Sequence, residues 1–214
     1  MLITYSKVNK LSIERKVVYW EKPGKEHTEA ALKIALEAAK ERNIDTVLIS
    51  STTGYVAEKA VEVFKDSRLK LVIVTHATGY SEKGVQKMPD ETRARLKEAG
   101  CEVVTCTDVL TGAVSAGIGR QRPAKSDPQE GRLPWIVPPP NVIVANTLRQ
   151  FSQGVKVCAE IAMMAVDCNA VASGAKVVAV AGSHAGADTV MMLEASESSR
   201  IRDMKLHEII CKPL

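Results

Sequence analysis

The sequence predicts an α/β domain built as a three-layer sandwich, with a mainly parallel sheet between two layers of helices. Three observations carry that prediction. Short β-branched and aliphatic runs at residues 17–20, 46–50, 70–75, 102–105 and 176–181 alternate with segments of helical periodicity. The connections between them are a few residues long over most of the chain, as βαβ units require. At 214 residues, with 45% hydrophobic and 25% charged residues, the chain can bury a substantial core as one domain spanning 1–214. Only 4% is aromatic, so that core must be built from Val, Ile, Leu, Ala and Met.

Residues 1–16 carry no periodicity and allow either an added edge strand or a contact between copies. Val17, Val18, Tyr19 and Trp20 form the first strand signal, and Pro23 and Gly24 turn the chain. Thr28 is a plausible N-cap for a helix to about Arg42, with Ala31, Ile34, Ala35 and Ala38 on one face and an i,i+4 pair, Glu29 and Lys33, on the wet side. The strand at 46–50 runs into Ser51, Thr52, Thr53 and Gly54, and a helix over 56–64 follows at once. The strand at 70–75 ends in His76, Thr78 and Gly79. Pro89 opens a third helix and Gly100 lies just past its end. The strand at 102–105 then leads to Thr107, Asp108, Thr111 and Gly112.

Between about 111 and 140, glycines and prolines interrupt every pattern, so a long irregular loop is expected there, carrying Arg120 and Arg122. One long helix should follow, starting between Asn141 and Asn146 and reaching about Asp167. Its polar residues Arg149, Gln153, Lys156, Glu160 and Asp167 fall on one narrow stripe. That stripe reads either as a solvated face or as Lys156 and Glu160 turned toward a pocket or a neighbouring subunit. Strands at 176–181 and 190–193 flank a polar loop, and a last strand from about Met204 to Ile210 is expected to be antiparallel at a sheet edge.

In open parallel sheets, ligands sit outside the carboxyl ends of the strands. The polar turns after 46–50, 70–75, 102–105 and 176–181 should meet along that edge. The first of them suits a phosphate: the start of a helix offers unpaired N–H groups and a positive dipole end, Ser51, Thr52 and Thr53 add hydroxyl donors, and Gly54 lets the backbone approach. The same residues also serve as ordinary caps and turns, so both readings stand. The remaining candidate cofactor-binding residues are Tyr55, Thr75, His76, Gly79, Ser183, His184 and Asp188. His76 and His184 read as hydrogen-bond or acid–base groups or as structural strand-end histidines. Asp188 reads as a partner for a ribose or ribityl hydroxyl or as an Asx-turn residue.

Other chemistries lack their spacing. The four histidines show no zinc pattern and the five cysteines no C-x-x-C, and there is no P-loop, no G-x-S-x-G elbow and no G-x-G-x-x-G after the first strand. No metal is expected, and no catalytic residue is identified. The cysteines suit reduced thiols in a cytoplasmic protein. The net charge of +4 is scattered among acidic neighbours, not gathered in a stripe, which argues against nucleic acid as a partner. No apolar run is long enough to span a membrane, and the N-terminus lacks the apolar region of a signal peptide.

The segment from Ile49 to Ala57, followed by a helix and the strand at 71–75, resembles the C-terminal α/β domain of pyruvate kinase. In that family the matching turn holds a phosphate of an allosteric sugar bisphosphate. Here Tyr55 stands where arginine is common and Val56 where serine is. Catalysis in pyruvate kinase belongs to its barrel domain, for which this chain has no room, so that activity is not implied. Residues 22–28, 74–76, 152–162, 186–189 and 207–210 extend the likeness to a family of free-standing, largely archaeal proteins that resemble this domain. That resemblance implies FMN at the sheet edge, its phosphate in the hydroxyl turn, Tyr55 beside the flat ring, and the 74–79 and 182–189 loops lining the rest. The expected function is binding of a phosphorylated small molecule, FMN first, with flavin-dependent oxidoreductase chemistry as its extension. The alternative is a non-catalytic sensor of a sugar phosphate or nucleotide. The expected partners are that ligand and further copies of the chain in a homo-oligomer.

Overall fold

The structure, a computed structural model, describes residues 12–112 and 138–214. Its strands are β1 (Val18–Trp20), β2 (Thr46–Ser50), β3 (Lys70–Thr75), β4 (Glu102–Thr105), β5 (Lys176–Ala181), β6 (Thr189–Glu194) and β7 (Lys205–Pro213). They form one sheet in the order β1-β7-β6-β5-β2-β3-β4. Only β6 runs against its neighbours; every other pairing is parallel.

The period of two along each strand decides the layering. In β2, Val47 and Ile49 pack with Ala31, Leu32, Ala57 and Phe64 on one face. Leu48 points the other way, among Cys158, Ile161 and Ala162. The first face is covered by α1 (Thr28–Glu41), α2 (Tyr55–Phe64) and α3 (Asp90–Glu98), and the second by α5 (Gln153–Asp167), on which α4 (Pro140–Arg149) packs. The three-layer α/β architecture with a mainly parallel sheet is therefore present. Helix α5 lies close on the sheet because Gly154 has no side chain; a Cβ there would collide with Thr189.

Three local expectations are corrected. The single long helix is two helices, because Ser152 is extended and its Oγ accepts the Val155 N–H at 3.1 Å, which starts α5 afresh. Thr28 is the first residue of α1 and not its cap; its hydroxyl donates to the Lys25 carbonyl at 2.6 Å and accepts the Ala187 N–H at 3.0 Å. Strand β7 is antiparallel to β6 as expected but lies inside the sheet, since β1 pairs with its other side and takes the edge. The irregular loop with Arg120 and Arg122 falls largely in 113–137, outside the described residues, as do residues 1–11. Among the described residues, no helix is long and apolar enough to cross a membrane.

Candidate functional site

Parallel strands end at the same edge, so the turns after β1, β2, β3, β4 and β5 gather there. They enclose a cleft of about 620 Å³, whose remaining wall is the start of α5. Each turn contributes by a different local device.

After β2, Gly54 adopts a left-handed φ of +102° as the residue before α2, and a Cβ at this position would collide with Thr92 Cγ2 on α3. Its glycine is thus explained by helix entry and packing, and Gly54 itself does not line the cleft. Ser51 is buried; its N–H donates to the Val74 carbonyl at 3.0 Å and its Oγ accepts the Ala57 N–H at 3.2 Å. Thr52, Thr53 and Tyr55 line the cleft at the α2 N-terminus, with Ser51 behind them.

After β3, Thr75 is buried within a chain of donors that runs from Arg93 Nη2 through the Thr105 and Thr75 hydroxyls to the His76 carbonyl. His76 faces the cleft. Its Nδ1 lies 2.7 Å from Asp108 Oδ1, and its ring stacks on Tyr80 at 4.1 Å between centroids and 11° between planes. Gln86 Nε2 donates to the His76 carbonyl at 3.0 Å, so backbone and ring are both held. Gly79 shapes the turn beyond, with φ +81° and its N–H donated to the Val85 carbonyl at 2.9 Å, and does not line the cleft.

After β4, Asp108 lines the cleft at only 3% exposure, and its Oδ2 has no hydrogen-bond partner among the described residues. The turn that carries it is strapped to α5. Glu160 Oε1 accepts the N–H groups of Leu110 at 2.8 Å and Thr111 at 3.0 Å, while Oε2 pairs with the Lys156 ammonium. Lys156 Nζ also donates to Thr111 Oγ1 at 2.7 Å. Both side chains are about 3% exposed. Burial pushes the Lys156 ammonium below its ordinary pKa, outweighing the upward pull of the Glu160 carboxylate. The polar stripe of α5 therefore turns Lys156 and Glu160 inward, the pocket-facing alternative of the sequence reading.

After β5, Ser183 and His184 line the cleft. Their loop is fixed by the Thr28–Ala187 hydrogen bond and by Gly186, where a Cβ would meet Lys25. Asp188, expected at the ligand, is 1% exposed and does not line the cleft. Its Oδ1 accepts the Thr189 hydroxyl at 2.8 Å and its carbonyl accepts Trp20 Nε1–H at 2.7 Å, so it anchors β1 to the sheet instead.

The cleft thus brings together Ser51, Thr52, Thr53, Tyr55, Thr75, His76, Ser183 and His184, and leaves out Gly54, Gly79 and Asp188. It adds Lys25, Tyr80, Asp108, Thr111, Arg149 and Gln153, which were outside the expected set. Asp108 and Thr111 follow β4 and were expected along this edge, though not as ligand residues, and applying the strand-end rule to β1 as well would have found Lys25. Arg149 and Gln153 straddle the α4–α5 break and are joined by Arg149 Nε donating to Gln153 Oε1 at 2.7 Å, the neighbours that the polar stripe already made them.

No protein-family model matches this chain. Among solved structures, the chain is similar to a pyruvate kinase from Cryptosporidium parvum at 15% identity and a TM-score of 0.36, over 78% of this chain and 22% of that one. A second crystal structure of Cryptosporidium parvum pyruvate kinase matches at 14% identity and a TM-score of 0.34, over 78% of this chain and 22% of that one. The same enzyme in complex with ADP matches at 16% identity and a TM-score of 0.34, over 77% and 22%. The chain thus spans about a fifth of the length of the structures it matches.

Proposed function

We propose that the cleft binds a phosphorylated small molecule and that FMN is the first ligand to test. The observation that supports this reading is the polarity of the lining: Thr52 and Thr53 line the cleft at the N-terminus of α2, and Lys25 and Arg149 line the same cleft. Backbone N–H groups and the positive dipole end at a helix start favour a phosphate, and two cations favour it further. The volume of about 620 Å³ falls inside the range of roughly 300–1,000 Å³ usual for small-molecule and cofactor sites.

The residues present fit FMN. Thr52, Thr53 and the first turn of α2 suit its phosphate, while Tyr55 and the stacked His76–Tyr80 pair offer aromatic faces to a flat ring. Bound there, FMN would supply hydride or single-electron transfer. The protein's part is to hold the phosphate, orient the ring and shield it from water.

The test is the visible absorption spectrum of the purified protein, with mass analysis of any ligand released by denaturation, followed by titration with added FMN. Flavin in the supernatant, or saturable uptake of FMN, is the expected result. Thr53→Val should weaken that uptake roughly 10-fold or more, the usual consequence of losing one hydrogen bond to a charged group. A colourless protein that takes up no FMN removes the flavin, and failure to bind phosphate monoesters of any kind removes the phosphate reading with it.

A further inference from the structure

We infer that Asp108, with His76 beside it, recognises hydroxyl groups of the ligand, so that the cleft selects a phosphate monoester carrying a polyol or sugar chain over a bare or alkyl phosphate. The inference rests on the phosphate reading above and adds a second point of attachment to it.

Asp108 is an almost fully buried carboxylate with one oxygen bonded to His76 Nδ1 and the other without a donor among the described residues. Buried polar atoms are nearly always hydrogen-bonded, and a charged acceptor without a donor is costly. Here the residue lies on the wall of the cleft while Oδ2 itself is covered from water, so a ligand O–H bonds it on a small turn of the carboxylate toward the cleft. The Lys156 ammonium donates to Glu160 and Thr111 and makes no hydrogen bond to this oxygen.

The turn that carries this carboxylate is held in place. Glu160 holds the N–H groups of Leu110 and Thr111, and the Gly112 N–H donates to the Asp108 carbonyl at 2.9 Å. His76 is fixed by the Tyr80 stack and by Gln86. With Nδ1 engaged by Asp108, Nε2 is the ring nitrogen left for a ligand. A carboxylate oxygen and an imidazole nitrogen carried by one bonded pair of side chains suit hydroxyls along one chain, which donate to the first and donate to or accept from the second.

Spacing sets the ligand's shape. The phosphate wall follows β2, and His76 and Asp108 follow β3 and β4, the next two strands in the sheet. Neighbouring strands lie about 4.8 Å apart, so the two points are roughly 5–10 Å apart. A chain of a few carbon atoms between phosphate and hydroxyl spans that gap, as in a pentitol phosphate, a sugar phosphate or the ribityl phosphate portion of FMN.

The test is calorimetric titration of the full chain with inorganic phosphate, pentyl phosphate, ribitol 5-phosphate and FMN, for the wild type and for Asp108→Asn and Thr53→Val. Ribitol 5-phosphate should bind roughly 10- to 100-fold more tightly than pentyl phosphate, the range expected for hydrogen bonds to a charged group. Asp108→Asn should shrink that preference, read as the ratio of the ribitol 5-phosphate and pentyl phosphate affinities within the variant. Without ligand, its melting temperature should equal or exceed that of the wild type, which a merely structural carboxylate would not allow. Thr53→Val should weaken all the phosphates alike. Equal binding of ribitol 5-phosphate and pentyl phosphate by the wild type overturns the inference, and this comparison needs no variant to fold. So does an undiminished preference in Asp108→Asn. In either case a continued loss on Thr53→Val leaves the phosphate reading intact, whereas a wild type that binds none of the four ligands takes both down.

Discussion

Replacing Glu160 should cost far more stability than replacing Lys156, although the two form one buried ion pair. Their surroundings are unequal. Glu160 accepts two backbone N–H groups and the Thr111 hydroxyl in addition to the ammonium, whereas among the described residues Lys156 bonds to Glu160 and the Thr111 oxygen. In Lys156→Met the carboxylate keeps those donors and the aliphatic stem is replaced in kind, so a loss of about 1–3 kcal/mol is expected. Glu160→Leu strands a buried ammonium and two backbone donors together, and breaking a buried pair in this way costs about 3–5 kcal/mol. For a domain of this size that is a fall of roughly 6–20 °C in Tm.

The pH dependence separates the variants further. Burial already holds the Lys156 pKa below its ordinary value. Between the folded and unfolded values the unfolded chain binds more protons, so this lysine's contribution to stability rises with pH toward the unfolded value of about 10.4. Loss of Glu160 removes the opposing pull and widens that window. Urea melts at pH 7 and pH 9 should therefore show Glu160→Leu regaining stability on the alkaline side, while Lys156→Met shows no such recovery. A Lys156→Met loss as large as that of Glu160→Leu, or a Glu160→Leu protein that weakens from pH 7 to 9, would refute the reasoning.

Two further outcomes follow from the same structure. Gly54→Ala should destabilise by about 1–3 kcal/mol, because an L-residue at φ +102° is strained and the new Cβ meets Thr92 Cγ2; adding Thr92→Ser should recover the steric part only, and a double variant no better than the single one in chemical melts would show that this contact is not felt. Arg42 Nη2 donates to Glu208 Oε2 at 2.6 Å, tying the end of α1 to β7, and the guanidinium holds the Glu208 carboxyl below its usual pKa. That stability is present above the unfolded carboxylate value of about 4.3 and is lost as pH falls through the lowered one, so Arg42→Met should flatten the acid side of the Tm–pH curve and cost about 1 kcal/mol at neutral pH; an acid arm of unchanged slope would exclude the pair as its cause.

The edge of the sheet that holds the cleft was legible because it follows from topology: once β2, β3 and β5 are parallel, the turns after them must meet. What each residue does there was less legible, and Gly54, Thr28 and Asp188 show why. Serine, threonine, aspartate and glycine satisfy local backbone groups with the same atoms they would offer to a ligand. Thr28 reads as a helix cap until Ala187, far away in sequence, turns out to be its donor. Asp188 reads as a ligand residue until Thr189 and Trp20 are seen to engage it. Gly54 reads as room for an anion until Thr92 is found against it. In each case the deciding partner comes from tertiary packing, which a strand-end pattern does not contain.

The same criterion sorts the cleft itself. A polar residue at a strand end is available to a ligand only to the extent that the fold has not already used its hydrogen-bonding capacity. Ser51 is used by Ala57 and Thr75 by Thr105 and the His76 carbonyl, so they shape the wall. Lys156 and Glu160 are used by each other and by Leu110 and Thr111, so they brace it. Asp108 is different, because the brace delivers it to the wall with one oxygen still unmatched. A buried ion pair that strapped this turn to α5 for stability alone would be better replaced by apolar side chains, which cost less desolvation. Its presence is accounted for if what must be held in place is that one acceptor, two strands away from the hydroxyl turn at the start of α2.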